Sequence, residues 1–147
     1  MIKRFGRTAC VMLAASVLAA PAMAAANGET YKTRLSVVPL DVGMQATVAG
    51  QGSVTATLAG NKLTVSGTAE GLRSPATVAH IHRGPPGIPG PAILDLTITN
   101  TTTPTISGTV DLTPSMVADL KNGQLYVQLS SERAPDGNLR GWLMHAN

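Results

Sequence analysis

Apolar and hydroxyl side chains alternate along most of this chain. In Ser53-Val54-Thr55-Ala56-Thr57-Leu58-Ala59 the apolar positions are 54, 56 and 58, and after Gly60-Asn61 the alternation resumes at Leu63 and Val65. A period of two belongs to a strand with one face in a core and the other in water, and the Gly-Asn break predicts a hairpin between the two runs. Tyr31 to Val38 predicts a first strand, followed by a Pro/Gly-containing loop from Pro39 to Gly50. Short β-branched runs predict further strands at Ala76 to His82, Ala92 to Thr99, Thr105 to Leu112, Gln124 to Ser131 and Asn138 to Met144. The last two are expected to meet at a Pro135-Asp136-Gly137 turn. One segment breaks the rhythm: Thr113 as N-cap, Pro114 at the first helical position, apolar residues at 116, 117 and 120 and a stop at Gly123 predict one short helix. Seven to eight strands joined in this way imply an all-β antiparallel sandwich or barrel.

The N-terminal segment follows a different pattern. Lys3, Arg4 and Arg7 precede an apolar run from Thr8 to Ala20, and Ala22-Met23-Ala24 forms a small-x-small site. That layout predicts a signal peptide over residues 1–24 and a periplasmic or secreted protein. The run is shorter than the roughly 20 residues of a spanning helix, and no second one follows, so no transmembrane segment is expected in the mature chain. Charge changes its meaning accordingly. The full sequence has 11 Lys and Arg against 8 Asp and Glu, but losing Lys3, Arg4 and Arg7 leaves 8 of each, which removes the electrostatic basis for a nucleic-acid partner. The only cysteine, Cys10, leaves with the leader, so no disulfide is expected and stability rests on one core.

Candidate chemistry is confined to one constellation. His80 and His82 lie two apart on a predicted strand and therefore share a face, with Ala79 and Ile81 turned to the core. The same parity turns Leu125, Val127, Leu129, Leu139 and Leu143 inward and leaves Tyr126, Gln128, Ser130, Asn138, Arg140 and Trp142 outside. His80, His82, Ser130 and Arg140 form the candidate ligand or polar cluster. It is expected to bring a histidine close to Arg140 or Ser130, with the Gly84 to Pro91 loop folded across it. Two imidazoles on one strand face can share a copper or zinc ion, with His145 or Met144 as further donors, but a pair short of three or four ligands more often only hydrogen-bonds to the loop and neighbouring polar groups. The loop, Gly84-Pro85-Pro86-Gly87-Ile88-Pro89-Gly90-Pro91-Ala92, holds three collagen-like triplets, too few for a triple helix, and reads as a stiff extended connection. No Gly-x-Ser-x-Gly or phosphate loop occurs and no cysteine survives cleavage, so the chain is not expected to be an enzyme.

Ala79-His80-Ile81-His82-Arg83-Gly84, Gly90-Pro91-Ala92-Ile93, and the Gly123 to Ser131 run leading to Pro135-Asp136-Gly137-Asn138-Leu139-Arg140-Gly141-Trp142-Leu143 resemble, in order and spacing, the CHRD domain. The family is named for its repeats in chordin and is widespread as a single domain in exported bacterial proteins. The resemblance covers residues 31–143. It implies an immunoglobulin-like or superoxide-dismutase-like antiparallel sandwich with no established enzymatic activity. Two departures concern the candidate site. Ser130 stands where the family motif has a histidine, and Asn138 stands where it has a glutamate; both remove possible ligands and leave Arg140 as the retained polar element. The expected function is an exported non-enzymatic binding or structural module with an unknown protein or small-ligand partner. The alternative is a copper-handling metal-binding protein using His80 and His82.

Overall fold

The computed structural model describes residues 28–147; the predicted signal peptide, with Cys10, lies outside them. Nine strands and one helix follow in chain order: β1 (Glu29–Val37), β2 (Gln51–Ala59), β3 (Lys62–Glu70), β4 (Ala76–Arg83), β5 (Ala92–Ile98), β6 (Thr105–Asp111), α1 (Pro114–Lys121), β7 (Leu125–Ser131), β8 (Ala134–Trp142) and β9 (Met144–His145). All pairings are antiparallel. The β2–β3 hairpin runs from Gln51↔Glu70 to Ala59↔Lys62 around Gly60-Asn61. Gly60 has φ 63 while no non-glycine residue among the described ones has positive φ, which makes this a type II′ turn matched to the strand twist.

The expected immunoglobulin-like or superoxide-dismutase-like sandwich is corrected by the ladder. Strands β2-β3-β6-β5-β4-β7-β8-β1 are neighbours in that order, and β1 also pairs with β2, so eight strands close into a barrel. Two contacts in the ring are short: β5 meets β6 only at Thr97↔Ser107 and Ile98↔Ile106, and β8 meets β1 only at Leu139↔Val37 and Arg140↔Ser36. The barrel is thus two curved sheets, β1-β2-β3-β6 and β5-β4-β7-β8, joined at both edges. Alternation is identical in an open sandwich and a closed ring, because each turns every second residue inward. What closes this one is β1, whose first part pairs with β2 and whose last two residues pair with β8.

An eight-stranded ring leaves an interior that side chains fill. Leu35, Leu63, Ile81, Ile106, Leu125, Leu129 and Leu139 fill it here, each fully buried. Helix α1 packs at the barrel end where β6 leaves and β7 enters, burying Leu120 and laying Met116 and Val117 on the core. Thr113 caps it, accepting from the Met116 N–H at 3.2 Å, and Lys121 ties its last turn to Glu29 at 3.0 Å. Tyr31 shares that end and donates to Glu29 at 2.7 Å. Burial, then the bond to Glu29, pushes the Tyr31 phenol up to about 12.

Two further expectations are corrected. The β7–β8 hairpin turns at Glu132-Arg133, since Ser131 pairs with Ala134; Pro135-Asp136-Gly137 lies inside β8, in a bulge where the register shifts between Leu129 and Ser131. The turn needs no left-handed residue and leaves no Gly or Pro signal, while Gly137, at φ 133, serves the bulge. The last predicted strand, Asn138 to Met144, is divided in two: β8 ends at Trp142, and β9 pairs with β1 at Lys32↔Met144 and Tyr31↔His145.

Candidate functional site

The outer face of β5-β4-β7-β8 carries two cross-strand rows. The first runs Asp95, His80, Gln128, Arg140, each the partner of the next, and ends on β1 at Ser36. The second runs His82, Tyr126, Trp142. Directly opposed side chains in an antiparallel pair are close enough to bond or stack, so strand register alone assembles both rows.

The second row is covered and stacked. The His82 and Tyr126 rings lie 4.9 Å apart at 16°, and Tyr126 lies 4.7 Å from Trp142 at 41°. The Gly84 to Pro91 segment closes over them. Pro85-Pro86-Gly87-Ile88 forms a β-turn with Ile88 N–H bonded to Pro85 O at 3.0 Å and Gly87 at φ 84, the type II pattern of Pro then Gly at the centre. The apparent collagen triplets are therefore one tight turn. Beyond it Gly90 is the anchor: its N–H donates to the Tyr126 hydroxyl at 2.8 Å, and its carbonyl accepts from that hydroxyl at 3.0 Å and from His82 Nδ1 at 2.9 Å. Trp142 Nε1 donates to Gly84 O at 2.9 Å. A Cβ at Gly90 would overlap the Arg83 carbonyl, so only glycine passes there.

His82 is a neutral imidazole in this setting. Donating Nδ1–H to Gly90 leaves Nε2 as a lone pair, and that atom is buried with no partner. Burial lowers its pKa below the ordinary 6.5; the Gly90 bond opposes this, and the charges of His80 and Arg140 add to it. His80, one row out, faces the exposed Asp95 at 3.3 Å, with its ring centroid 5.9 Å from that of His82.

Arg140 is held on two sides. Its Nε donates to Gln128 Oε1 at 2.8 Å, and its guanidinium carbon lies 5.4 Å over the Tyr126 ring. Gln128 is itself fixed by donating to Asp136 O at 3.3 Å. No side chain or carbonyl among the described residues bonds the two Nη groups.

The structure therefore brings His80, His82 and Arg140 onto one face, with Gln128 and Tyr126 of β7 between the histidines and the arginine. Ser130 lies on the same strand face but opposite Val78, is buried, and bonds to neither histidine. His145 is elsewhere: its ring packs edge-on to Tyr31 at 5.4 Å in the β1–β9 ladder. Asn138 is fully buried under the 39–50 loop, donating to Ser131 at 2.9 Å and accepting from Ala49 N–H at 3.3 Å. No group of three His, Cys, Asp or Glu suited to a metal ion occurs among the described residues. Gln128, Tyr126, Trp142 and Asp95 complete the rows. The first three share the parity of the predicted cluster and were readable at that level, whereas Asp95 depends on the β4–β5 register.

The CHRD domain model matches residues 32–143, from the fourth position of β1 to just beyond the end of β8. The chain belongs to the CHRD domain family. The CHRD match thus spans both rows and the loop that covers the second. Comparison with curated proteins and with solved structures gives no match to either.

Proposed function

We propose that this CHRD protein is an exported, non-enzymatic binding module acting in the periplasm or outside the cell, and that the Asp95-His80-Gln128-Arg140 row is its recognition surface. The observation that carries this is the contrast between the two rows. The covered row uses its indole and phenol polar groups on the loop, while the open row ends in an arginine fixed at Nε with both Nη groups available. A charged donor pre-positioned on a rigid strand is suited to recognition, since little side-chain entropy is lost on binding. The basic head, apolar run and small-x-small site of residues 1–24 support export. The lack of a nucleophile motif supports a role without turnover.

The test is a combined thermal-shift and turnover screen of the exported protein against small metabolites and short peptides. The proposal expects ligands that raise the melting temperature, lose that effect in Arg140→Gln, and are recovered unchanged. Turnover of any substrate class overturns it.

A second reading, capture of copper or zinc by His80 and His82, draws on the buried Nε2 of His82. A carbonyl fixes the Nδ1 proton and leaves Nε2 as a donor, as in many metal-bound histidines. The nearby donor set stops at two imidazoles and the carboxylate on His80, short of a stable tetrahedral site. Native mass spectrometry with Cu(II), Cu(I) and Zn(II) separates the readings: unchanged mass favours the binding module, a stoichiometric adduct lost in His82→Ala the metal site.

A further inference from the structure

The described surface holds a larger groove of about 810 Å³ on the outside of β1-β2-β3, lined by hydroxyl, charged and small residues. Two of its charged groups, Arg34 and Glu70, are already tied together through Gln51, Arg34 donating to it at 3.0 Å and Gln51 donating to Glu70 at 3.0 Å, and Lys32 is the third. A smaller cleft of about 370 Å³ differs in kind. It lies over the short β1–β8 contact, and among its lining residues are Arg34, Ser36, Val37, Gly87, Arg140 and Trp142. Its size falls in the range of small-ligand sites. Its lining contains two arginines and no carboxylate.

We infer that this cleft is a binding site for a small organic carboxylate with a compact apolar body, the carboxylate held by the Arg140 Nη pair and the body against Trp142 and Val37. The inference rests on the proposed recognition surface and names the ligand class at its end. The Nε–Gln128 bond and the Tyr126 face fix the guanidinium, leaving the end-on fork, which matches a carboxylate through two parallel N–H donors. Trp142 has its own N–H satisfied by Gly84 O and so offers the cleft an apolar ring without an unmet donor. Val37 is 40% exposed beside it, an apolar surface that a ligand body would cover. Arg34, turned toward Gln51, adds positive field more than direct contact.

Trp142 is the chain's only tryptophan, so its fluorescence reports on this cleft alone. The probes are hexanoate and benzoate, their neutral amides, and inorganic phosphate as a bare anion. The expected result is that each carboxylate binds roughly tenfold or more tighter than its amide, the difference between a charged and a neutral partner for one arginine. Phosphate is expected to bind weaker than either carboxylate. Arg140→Lys keeps the charge, loses the fork, and should weaken carboxylate binding by about tenfold. Ser36 is exposed and is the cross-strand partner of Arg140, so Ser36→Glu places a tethered carboxylate opposite the fork. That variant should fold with an unchanged or higher melting temperature and lose carboxylate binding. Equal binding of acid and amide, phosphate binding as tightly as hexanoate, or Ser36→Glu binding like wild type each overturns the inference. Neutral ligands that still perturb Trp142 and lose binding in Arg140→Gln would leave the recognition surface standing while removing the carboxylate assignment.

Discussion

His82 joins the barrel wall to the loop, and its chemistry fixes the sign of two effects. Its Nδ1–H···O bond to Gly90 is part-buried, so His82→Ala should cost about 1 to 2 kcal/mol in denaturant unfolding and speed hydrogen exchange at the Gly90 amide. Unchanged stability and exchange would show that the loop is held by Tyr126 and Trp142 alone. Because burial holds its folded pKa below 6.5, the unfolded chain takes up a proton first as pH falls. The contribution is fully present above the unfolded value and is lost as pH drops through that value toward the folded one. Stability should therefore begin to fall as pH drops through the ordinary 6.5 of the unfolded imidazole, and fall less in His82→Gln. Glu29 does not enter that window: its pKa, lowered by the Tyr31 and Lys121 bonds, makes its contribution fade only below its ordinary 4.5. An equal loss in both proteins would assign the acid sensitivity to another group.

Among the elements, α1 closes one end of the barrel and the short β1–β8 contact closes the ring. Leu120 is buried from an eight-residue helix that seals one end of the barrel, so Leu120→Ala should destabilise by about 2 to 5 kcal/mol, whereas Thr113→Ala, removing a cap, should cost about 1. Similar losses for the two would mean that the helix contributes no core packing. Gly141 sits where a Cβ would overlap Thr33 Oγ1 and the Arg34 carbonyl, next to the two-residue ladder between β1 and β8. Gly141→Ala is expected to destabilise the fold and to loosen the Ser36 and Val37 amides before the β2–β3 ladder in hydrogen exchange. Uniform exchange would argue against a weak edge there. The helix and hairpin could be read from the sequence because Thr113-Pro114, Gly123 and Gly60-Asn61 are local signals. Inward parity of Leu125, Val127 and Leu129 was equally readable. The Glu132-Arg133 turn and ring closure were not, since the turn uses ordinary backbone angles and closure is a long-range choice by β1. The site divided the same way: histidine parity is local, but the Gly90 anchor and the Gln128 bridge depend on register and loop path.

For the whole molecule, a closed ring removes most free strand edges, and no described helix is long and apolar enough to cross a membrane. The ring is complete within residues 29–142, so a chain that begins at Ala25 should keep the fold. Intact mass of the exported protein is expected to correspond to a chain beginning at Ala25, and retention of Met1 would contradict the leader assignment. Recognition is expected at one place on this barrel, the open row that ends at Arg140. The most direct measurement is a ¹⁵N-correlation NMR titration of the protein with the ligands selected by thermal shift. Shifts centred on the Trp142 indole N–H and the His80, Gln128 and Arg140 amides are expected. Bound ligands that instead move only the β1-β2-β3 groove around Gln51 and Thr68 would contradict this expectation.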